Sequence, residues 1–340
     1  MSEQKTDPSV TASLLSKLKS LFGFRESAVL AVLLLAYVIM WGVSPAFRTL
    51  NNHITILKQM TVVAIMAFGL TVVYISGGFD LSQAGIATLA GMLSGWAVAM
   101  WHWPSWLAVL FGILLGGLCG MFNALLIMRL RIEPAVVTLA TSSIYMGIMY
   151  FWTKGLTISN LPAGYNWLGS ASLGPVPVAV VVMFVLAGML QWMLSRTVFG
   201  RHVFLLGNSK EAARLAGVRV ERTLFGIYTI GGFVSGLAGI ILSGRISASV
   251  TNMAAGLLTP TVAATIIGGT WLSGGVGSMA GTLMGSAIMA ILRNAIVVLQ
   301  VDIYLQEGVV GVITVLAVLM DLFRRKRLTL QMFLPKRRQA

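Results

Sequence analysis

The stretch ITILKQMTVVAIMAFGLTVVYISGGFDLSQAG, residues 54–85, decides the fold of this chain. Its first part, residues 54–76, is an apolar run in which Lys58, near the start, is the one charged residue. A helix of about 20 apolar residues is long enough to cross the hydrocarbon core of a bilayer. Because backbone polar groups find no water there, a helix is the expected structure. We therefore predict an all-α integral membrane protein.

The composition of the whole chain supports this fold class. Of its 340 residues, 57% are hydrophobic and 10% are charged, and the mean hydropathy is +0.88. Soluble domains carry about 25% charged residues, so an ordinary soluble enzyme is excluded, as is a disordered chain. The single cysteine, Cys119, excludes an internal disulfide and a cysteine-rich metal site. We expect Cys119 to be a small packing residue.

Further apolar runs give about ten predicted transmembrane helices. The eighth run is short and ends in the glycine-rich GGTWLSGGVG, so it is either continuous or broken. Glycines repeated within several runs suit close packing of helices in lipid. The ten predicted spans are 27–45, 54–76, 84–101, 104–128, 134–153, 176–195, 223–243, 257–273, 278–299 and 305–323.

Basic residues set the predicted orientation. Nineteen of the 24 Lys and Arg residues fall in four segments that a ten-span topology places on one side. Because cytoplasmic segments are rich in Lys and Arg, we predict that both termini are cytoplasmic. We also expect the first span to be an uncleaved helix rather than a signal peptide. The predicted organisation is a cytoplasmic tail (1–26), a transmembrane domain (27–323) with a cytoplasmic loop (196–222), and a basic cytoplasmic tail (324–340).

Ionisable residues within the apolar regions are few, and Asp80 in YISGGFDLSQAG is the most informative one. A charge in the membrane is costly, so each one needs a reason. Asp80 either lines a transport pathway or caps a helix that begins near Leu81. Ion-coupled carriers usually need several buried acids, and this chain offers almost none. The scarcity also argues against a cation channel with acidic rings.

Hydroxyl and amide side chains are better represented in the predicted spans. Four of them recur at i, i+3, i+4 and i+7 from Thr138, so they share one face of a helix. Neutral hydrogen-bonding groups suit a neutral polar solute such as a sugar, although hydroxyls also join helices to one another. The candidate pathway residues are Asp80, Asn123, Thr138, Thr141, Ser142, Tyr145 and Thr265.

Catalytic, cofactor and metal motifs are missing from the sequence. No G-x-x-x-x-G-K-[ST] phosphate loop, H-E-x-x-H motif or Cys/His cluster occurs. We therefore expect a non-enzyme without cofactor or metal, in which any energy for transport comes from elsewhere. One weak internal repeat, which we call the internal echo, is the pattern Gly-Gly-x-x-Leu-Ser shared by GGFDLS (77–82) and GGTWLS (268–273). Each copy precedes a helix rich in small residues. Transporters are often built from such repeats.

The predicted cytoplasmic loop contains KEAARLAG, residues 210–217. This stretch reads as a short amphipathic helix with Glu211 near its start and Gly217 as a natural C-cap. A short helix between two spans is suited to contact a partner at the cytoplasmic face.

The chain resembles the membrane permeases of bacterial ABC importers for monosaccharides, of the ribose/xylose/arabinose type. The resemblance covers about residues 27–323, and several motifs agree in order and spacing. These are SGGFDLS, R-T-x-FG-R (196–201), GN-S-KEAARLAGV-R-V-x-R (207–222), GLAGIIL (236–242) with the following residues to 245, IIGGTWLSGG-GS-x-AGTL-G (266–285) and GVVGVITVLAVLMD (308–321).

This resemblance implies a multi-pass protein of the bacterial inner membrane that translocates a sugar-like solute by alternating access. Its implied partners are a separate cytoplasmic ATPase, a periplasmic substrate-binding protein and a second permease chain, identical or not. A self-sufficient secondary carrier or facilitator is the alternative, and a membrane scaffold is a third reading. The implied coupling helix carries Asn208, Glu211, Ala212, Ala213, Arg214 and Gly217, and Arg48 and Arg245 are the candidates for docking the binding protein.

One departure from the family concerns the eighth span. Family members often carry Glu-Leu-Asp-Ala where this chain has Leu258-Thr259-Pro260-Thr261. Both acidic groups are lost and a proline is gained. A role held by those acids therefore does not transfer, and a different sugar or a polyol is implied.

Overall fold

The computed structural model describes residues 24–302, 305, 308–312, 314–316 and 319. Residues 1–23 of the predicted N-terminal tail, much of the predicted span 305–323 and the predicted C-terminal tail lie outside the described residues.

Helices dominate the described chain up to residue 302. Two 3-10 turns, Ala46–Arg48 and Ala255–Leu257, and two small antiparallel strand pairs connect them. Strand β1 (Ile158–Ser159) pairs with β4 (Ala248–Ser249), and β2 (Ser172–Leu173) pairs with β3 (Val176–Pro177). The helices are α1 (Phe24–Val43), α2 (Leu50–Ile75), α3 (Gln83–Ala99), α4 (Ser105–Leu130), α5 (Pro134–Thr153), α6 (Ala163–Ser170), α7 (Val178–Arg196), α8 (Val198–Asn208), α9 (Lys210–Leu215), α10 (Val220–Ile246), α11 (Leu258–Ile267) and α12 (Met279–Val298).

Six of these helices are long and apolar enough to cross a membrane, namely α2, α4, α5, α7, α10 and α12. The all-α membrane class is thus confirmed, whereas the count of about ten spans and the side of each terminus stay predictions. The predicted eighth span, 257–273, is helical only over Leu258–Ile267. A non-helical segment then runs to Ser278, because Gly268 and Gly269, the latter at φ +89°, end the helix.

The helix starts follow from local sequence. The Thr49 side chain accepts a hydrogen bond from the Asn52 N–H at the start of α2, and Ser278 accepts one from the Gly281 N–H at the start of α12. Pro134 occupies the first position of α5, where its missing N–H costs nothing. These caps satisfy donors that a helix leaves unpaired at its N-terminus.

Glycines let the central helices approach closely, as the sequence predicted. A methyl group on Gly120 of α4 would overlap the carbonyl oxygen of Tyr228 in α10. A methyl group on Gly285 of α12 would overlap the carbonyl oxygen of Ala264 in α11. Small residues at helix interfaces in lipid have this effect. The buried core therefore centres on α2 and α10, which other helices surround.

Candidate functional site

Asp80 lies in the short loop between α2 and α3 and is only 1% exposed. Its Oδ1 accepts hydrogen bonds from the N–H and the hydroxyl of Ser82, at 2.8 and 2.6 Å. Helix α3 begins at Gln83 with Ser82 at its N-cap, so Asp80 shapes the turn that precedes the helix. Burial raises the pKa of the Asp80 carboxyl to about 6, although the hydrogen bonds from Ser82 lower it.

A chain of buried hydrogen bonds continues from this turn into two helices. Asn123 of α4 donates its Nδ2 to the Ser82 hydroxyl at 2.7 Å. Tyr145 of α5 donates its hydroxyl to Asn123 Oδ1 at 2.7 Å and lies 2.8 Å from the carbonyl of Cys119. Asp80, Ser82, Asn123 and Tyr145 form what we call the Asp80 network. In this network each residue donates a hydrogen bond to the next: Tyr145 to Asn123, Asn123 to Ser82, and Ser82 to the Asp80 carboxylate.

The predicted hydroxyl face of α5 packs on the same loop. The Thr138 hydroxyl accepts a hydrogen bond from the Leu81 N–H at 3.0 Å. Thr138 and Thr141 are buried, and the half-buried Ser142 lies against Gly85 of α3. The structure thus brings six of the seven candidate pathway residues together. The seventh, Thr265, lies apart and donates to Thr261 within α11 at 2.9 Å.

The predicted coupling segment contains two helices rather than one. Helix α8 (Val198–Asn208) precedes the predicted short helix, which is α9 (Lys210–Leu215). His202 therefore lies in a helix within this segment. The Ser209 side chain caps α9 by accepting from the Ala212 N–H at 3.1 Å. Gly217 adopts φ +78° just beyond the helix end, as its C-cap prediction requires.

Helix α9 has one buried and one open side. Ala213 is buried in a small apolar cluster with Leu206, Val218 and Val220. Leu215 on the opposite side is 90% exposed. The sequence did not single it out, because a leucine at helical spacing usually packs inward. The exposed neighbours are Glu211, Ala212 and Arg214, and the Arg214 guanidinium lies 3.7 Å from the Glu221 carboxylate.

The end of α8 contacts both loops of the internal echo. A methyl group on Gly207 would overlap the Ile75 carbonyl oxygen and the Gly275 nitrogen. The Gly275 N–H donates to the Ile75 carbonyl at 2.8 Å. A methyl group on Gly274 would lie 2.7 Å from the Gly207 oxygen and 2.9 Å from the Gly77 nitrogen. We call these five residues the glycine junction. The sequence contained no signal for this contact between distant segments.

The two docking candidates lie at the other end of the bundle, where α10 ends. Arg48 is exposed and donates to the carbonyls of Trp41 and Gly42, at 2.7 and 3.4 Å, and so caps α1. Arg245 is half-buried and donates to the carbonyl of Lys58 in α2 at 3.0 Å. Arg48 therefore faces solvent at this end, whereas Arg245 lies against a neighbouring helix.

Residues 52–318 match a family described as "Branched-chain amino acid transport system / permease component". The chain belongs to this family. It is also 33% identical to the ribose import permease protein RbsC of Bacillus subtilis (strain 168), over 85% of this chain and 90% of that protein. Escherichia coli (strain K12) RbsC is 32% identical over 87% and 93% of the two chains. The xylose transport system permease protein XylH of E. coli K12 is 30% identical over 88% and 91%.

Family and fold together make this permease a multi-pass protein of the bacterial inner membrane. Its relatives are transport subunits, which agrees with the prediction of a non-enzyme at that level. The predicted resemblance to sugar permeases is thus confirmed.

Proposed function

We propose that this permease is the transmembrane subunit of an ATP-binding-cassette importer that moves a sugar or a sugar-like polar solute by alternating access. A separate cytoplasmic ATPase supplies the energy. The observation that carries the proposal is a continuous path of contacts from the exposed helix α9, through the glycine junction, to the Asp80 network. The relatives, a ribose import permease and a xylose transport permease, support the sugar class.

Helix α9 is the part of the permease that the ATPase would contact. Leu215 and Glu211 project from it, and Ala213 anchors it on α8 and α10. A leucine exposed to water gains free energy when a groove covers it, roughly 2 kcal/mol for full burial. We propose that Asn208, Glu211, Ala212, Arg214, Leu215 and Gly217 form the docking edge, with Ala213 behind them.

Movement of α9 would reach the interior through backbone atoms. Gly207 touches both Ile75 and Gly275, so α8 cannot shift without displacing the loops that follow α2 and α11. The first of these loops holds the Asp80 network, which joins it to α4 and α5. We propose that the network opens in one state and that its groups then face the solute. Since ATP binds the two states with different affinity, it shifts the population between them.

The proposed partners follow from the same arrangement. A loaded substrate-binding protein would dock on the segments 44–53, 155–175 and 244–256, where the exposed Arg48 is the candidate to meet an acidic group. A second permease chain, identical or different, would complete the pathway. The candidate pathway residues in this proposal are Asp80, Asn123, Thr138, Thr141, Ser142 and Tyr145, with Thr265 on the more distant α11.

The test uses the permease purified from its native membrane with the chains that accompany it, reconstituted in vesicles. Leu215→Asp and Glu211→Ala should lower ATP-driven uptake of labelled ribose or xylose more than about tenfold, which corresponds to 1.4 kcal/mol. Thermal unfolding should be unchanged, because both side chains are exposed. Leu299→Asp, at an exposed leucine directly after α12 and outside the proposed docking segments, is the matched control.

The same preparation distinguishes the proposed importer from the alternative, a self-sufficient carrier. Uptake by the lone permease in vesicles without ATP would make it a self-sufficient carrier and overturn the proposal. If the Leu215→Asp variant imports as well as the unchanged permease, only the proposed role of α9 is overturned, and the importer function stands.

A further inference from the structure

We propose that the cavity between α8 and the start of α10 binds the phosphate of an anionic lipid headgroup. The cavity has a volume of about 410 Å³, which lies within the range of ligand sites. The inference depends neither on the identity of the transported solute nor on the proposed import function. The residues that line the cavity are Phe199, His202, Gly217, Arg219, Arg222 and Thr223.

The cavity lies at the level of the membrane surface. Two helices that are long and apolar enough to span a membrane have their ends here, since α7 ends at Arg196 and α10 begins at Val220. Trp192, one turn before the end of α7, is 64% exposed. Tryptophan is enriched at the interface between lipid and water. The predicted topology places this end of the bundle at the cytoplasmic leaflet, which has a negative surface potential.

The lining of the cavity is positive and carries no acidic residue. Arg219 and Arg222 each supply a guanidinium, and the half-buried His202 adds an imidazole. None of these three side chains makes a hydrogen bond or an ion pair in the part of the chain that the structure describes. The acid nearest to them in sequence, Glu221, is paired with Arg214 at 3.7 Å. The donors of both cavity arginines therefore remain for an anionic ligand.

The backbone at the start of α10 also favours an anion. This helix has 27 residues, and Arg219 at its N-cap makes no side-chain capping bond. The first N–H groups of a helix lack partners within it and carry a partial positive charge, which attracts phosphate. Gly217, at φ +78°, turns the chain into this position and places no side chain in the cavity. Backbone and side chains therefore supply positive potential independently.

The exposed apolar surface of α8 favours a lipid over a free anion. Val198 and Leu205, exposed by 56% and 41%, flank His202 at i−4 and i+3 and so share its face of the helix. The ring of Phe199 packs on α10, because a methyl group on Gly226 would lie 2.8 Å from it. An apolar face beside a cationic cavity matches an acyl chain that continues from a phosphate. A free phosphate or a protein carboxylate would leave that face exposed to water.

The first experiment counts the lipids that bind to the full permease in a neutral detergent. Native mass spectrometry follows a titration with phosphatidylglycerol, and we expect one tightly bound lipid per chain. Arg219→Gln with Arg222→Gln should weaken this binding at least about tenfold, since both remove a charge-assisted contact to phosphate. Phosphatidylcholine, whose choline cation would meet the arginines, should bind at least about tenfold more weakly than phosphatidylglycerol.

The matched control removes the same charge outside the cavity. Arg201→Gln with Lys210→Gln changes two exposed basic residues of α8 and α9 that do not line it. Phosphatidylglycerol affinity should then stay within about twofold of the unchanged permease. Both double variants should unfold at the same temperature without added lipid, because all four side chains are exposed. Added phosphatidylglycerol should raise the unfolding temperature of the control variant and not that of the arginine variant.

The second experiment locates the bound lipid. A histidine-modifying reagent labels the permease, and mass spectrometry gives the rate at each histidine. Saturating phosphatidylglycerol should slow the labelling of His202 about tenfold. His102, exposed between α3 and α4, is the control histidine whose rate should not change.

Four results would overturn the inference. Equal losses of affinity in the two double variants would mean that general surface charge attracts the lipid. Labelling of His202 that phosphatidylglycerol does not slow would place the lipid elsewhere. Protection of His202 by inorganic phosphate at the same concentration as the lipid would mean that the cavity takes a free anion. If the two arginine substitutions weaken ATPase binding in detergent tenfold and leave lipid binding unchanged, the arginines meet protein carboxylates instead.

Discussion

The two loops that share Gly-Gly-x-x-Leu-Ser differ in how they are held. In GGFDLS (77–82) the carboxylate of Asp80 binds Ser82, and α3 starts at once. In GGTWLS (268–273) Thr270 and Trp271 take the corresponding places, and the next helix begins only at Met279. Both loops meet at the glycine junction.

Side chains fix the first loop, and backbone hydrogen bonds shape the second. Asn123 and Tyr145 join the first loop to two helices. In the second loop the Thr270 N–H donates to Thr265, and the Trp271 N–H donates to Val276. The Thr270 hydroxyl is buried without a hydrogen-bond partner among the described residues. The same glycine-rich turn is therefore tied to two helices by side-chain hydrogen bonds in one place, and in the other it holds a buried threonine hydroxyl that has no partner in the described chain.

The largest loss of stability is expected from a substitution in the glycine junction, where the two loops meet. Gly207→Ala places a methyl group on the Ile75 carbonyl oxygen and the Gly275 nitrogen, which are backbone atoms and cannot move aside. We expect a loss of more than about 3 kcal/mol in unfolding free energy, at the upper end of overpacking costs. Thermal unfolding of the solubilised permease measures it.

Gly188→Ala in α7 is the matched control for this substitution. No atom lies near its added methyl group, and alanine is the better helix former, so stability should rise by up to about 1 kcal/mol. Equal stability of the two variants would show that the junction is not a tight contact.

The second effect tests the first loop. Asp80→Ala removes the acceptor for both Ser82 donors and leaves them buried, which should cost about 1–3 kcal/mol. Asp80→Asn keeps an acceptor oxygen and should lose less than half as much. Denaturant unfolding of the two variants decides the point, because equal losses would mean that the charge and not the hydrogen bonds holds the loop.

Local features of the site could be predicted from sequence, since they depend on neighbours along one helix. The shared face of Thr138, Thr141, Ser142 and Tyr145 follows from helical spacing, and the end of α9 follows from Gly217. Helix α8 was missed because the whole segment 196–222 is basic, as is typical of a cytoplasmic loop, although Val203 and Leu206 of α8 face inward.

The contacts that join distant segments could not be predicted. Nothing in the sequence near Asn123 indicates that its amide binds Ser82. The glycine junction requires the positions of three segments, and each glycine alone suits any turn. The convergence of Arg245 on the Lys58 turn likewise depends on how α2 and α10 pack.

A third, smaller effect concerns cooperation within the Asp80 network. Tyr145→Phe and Asn123→Leu each break the same hydrogen bond, so the double variant should lose about 1 kcal/mol less than the sum of the single losses. Tyr165→Phe is the control partner, because its hydroxyl lies 3.3 Å from the Gly91 carbonyl, outside the network. Its loss should add to that of Asn123→Leu within about 0.5 kcal/mol. Additivity in both pairs would argue against a connected network.

The smallest effect, opposite in sign, is expected in the second loop. Thr270→Val keeps the shape of the side chain and removes a buried hydroxyl that has no partner in the described chain, so stability should be unchanged or rise by up to about 1 kcal/mol. Thr282→Val is the matched control, because the Thr282 hydroxyl bonds to Thr71 at 2.7 Å and its removal should cost about 1 kcal/mol. Thermal unfolding of the two variants measures the difference. A loss at Thr270 as large as the loss at Thr282 would mean that its hydroxyl is hydrogen-bonded in the membrane, and that both loops are held by side chains.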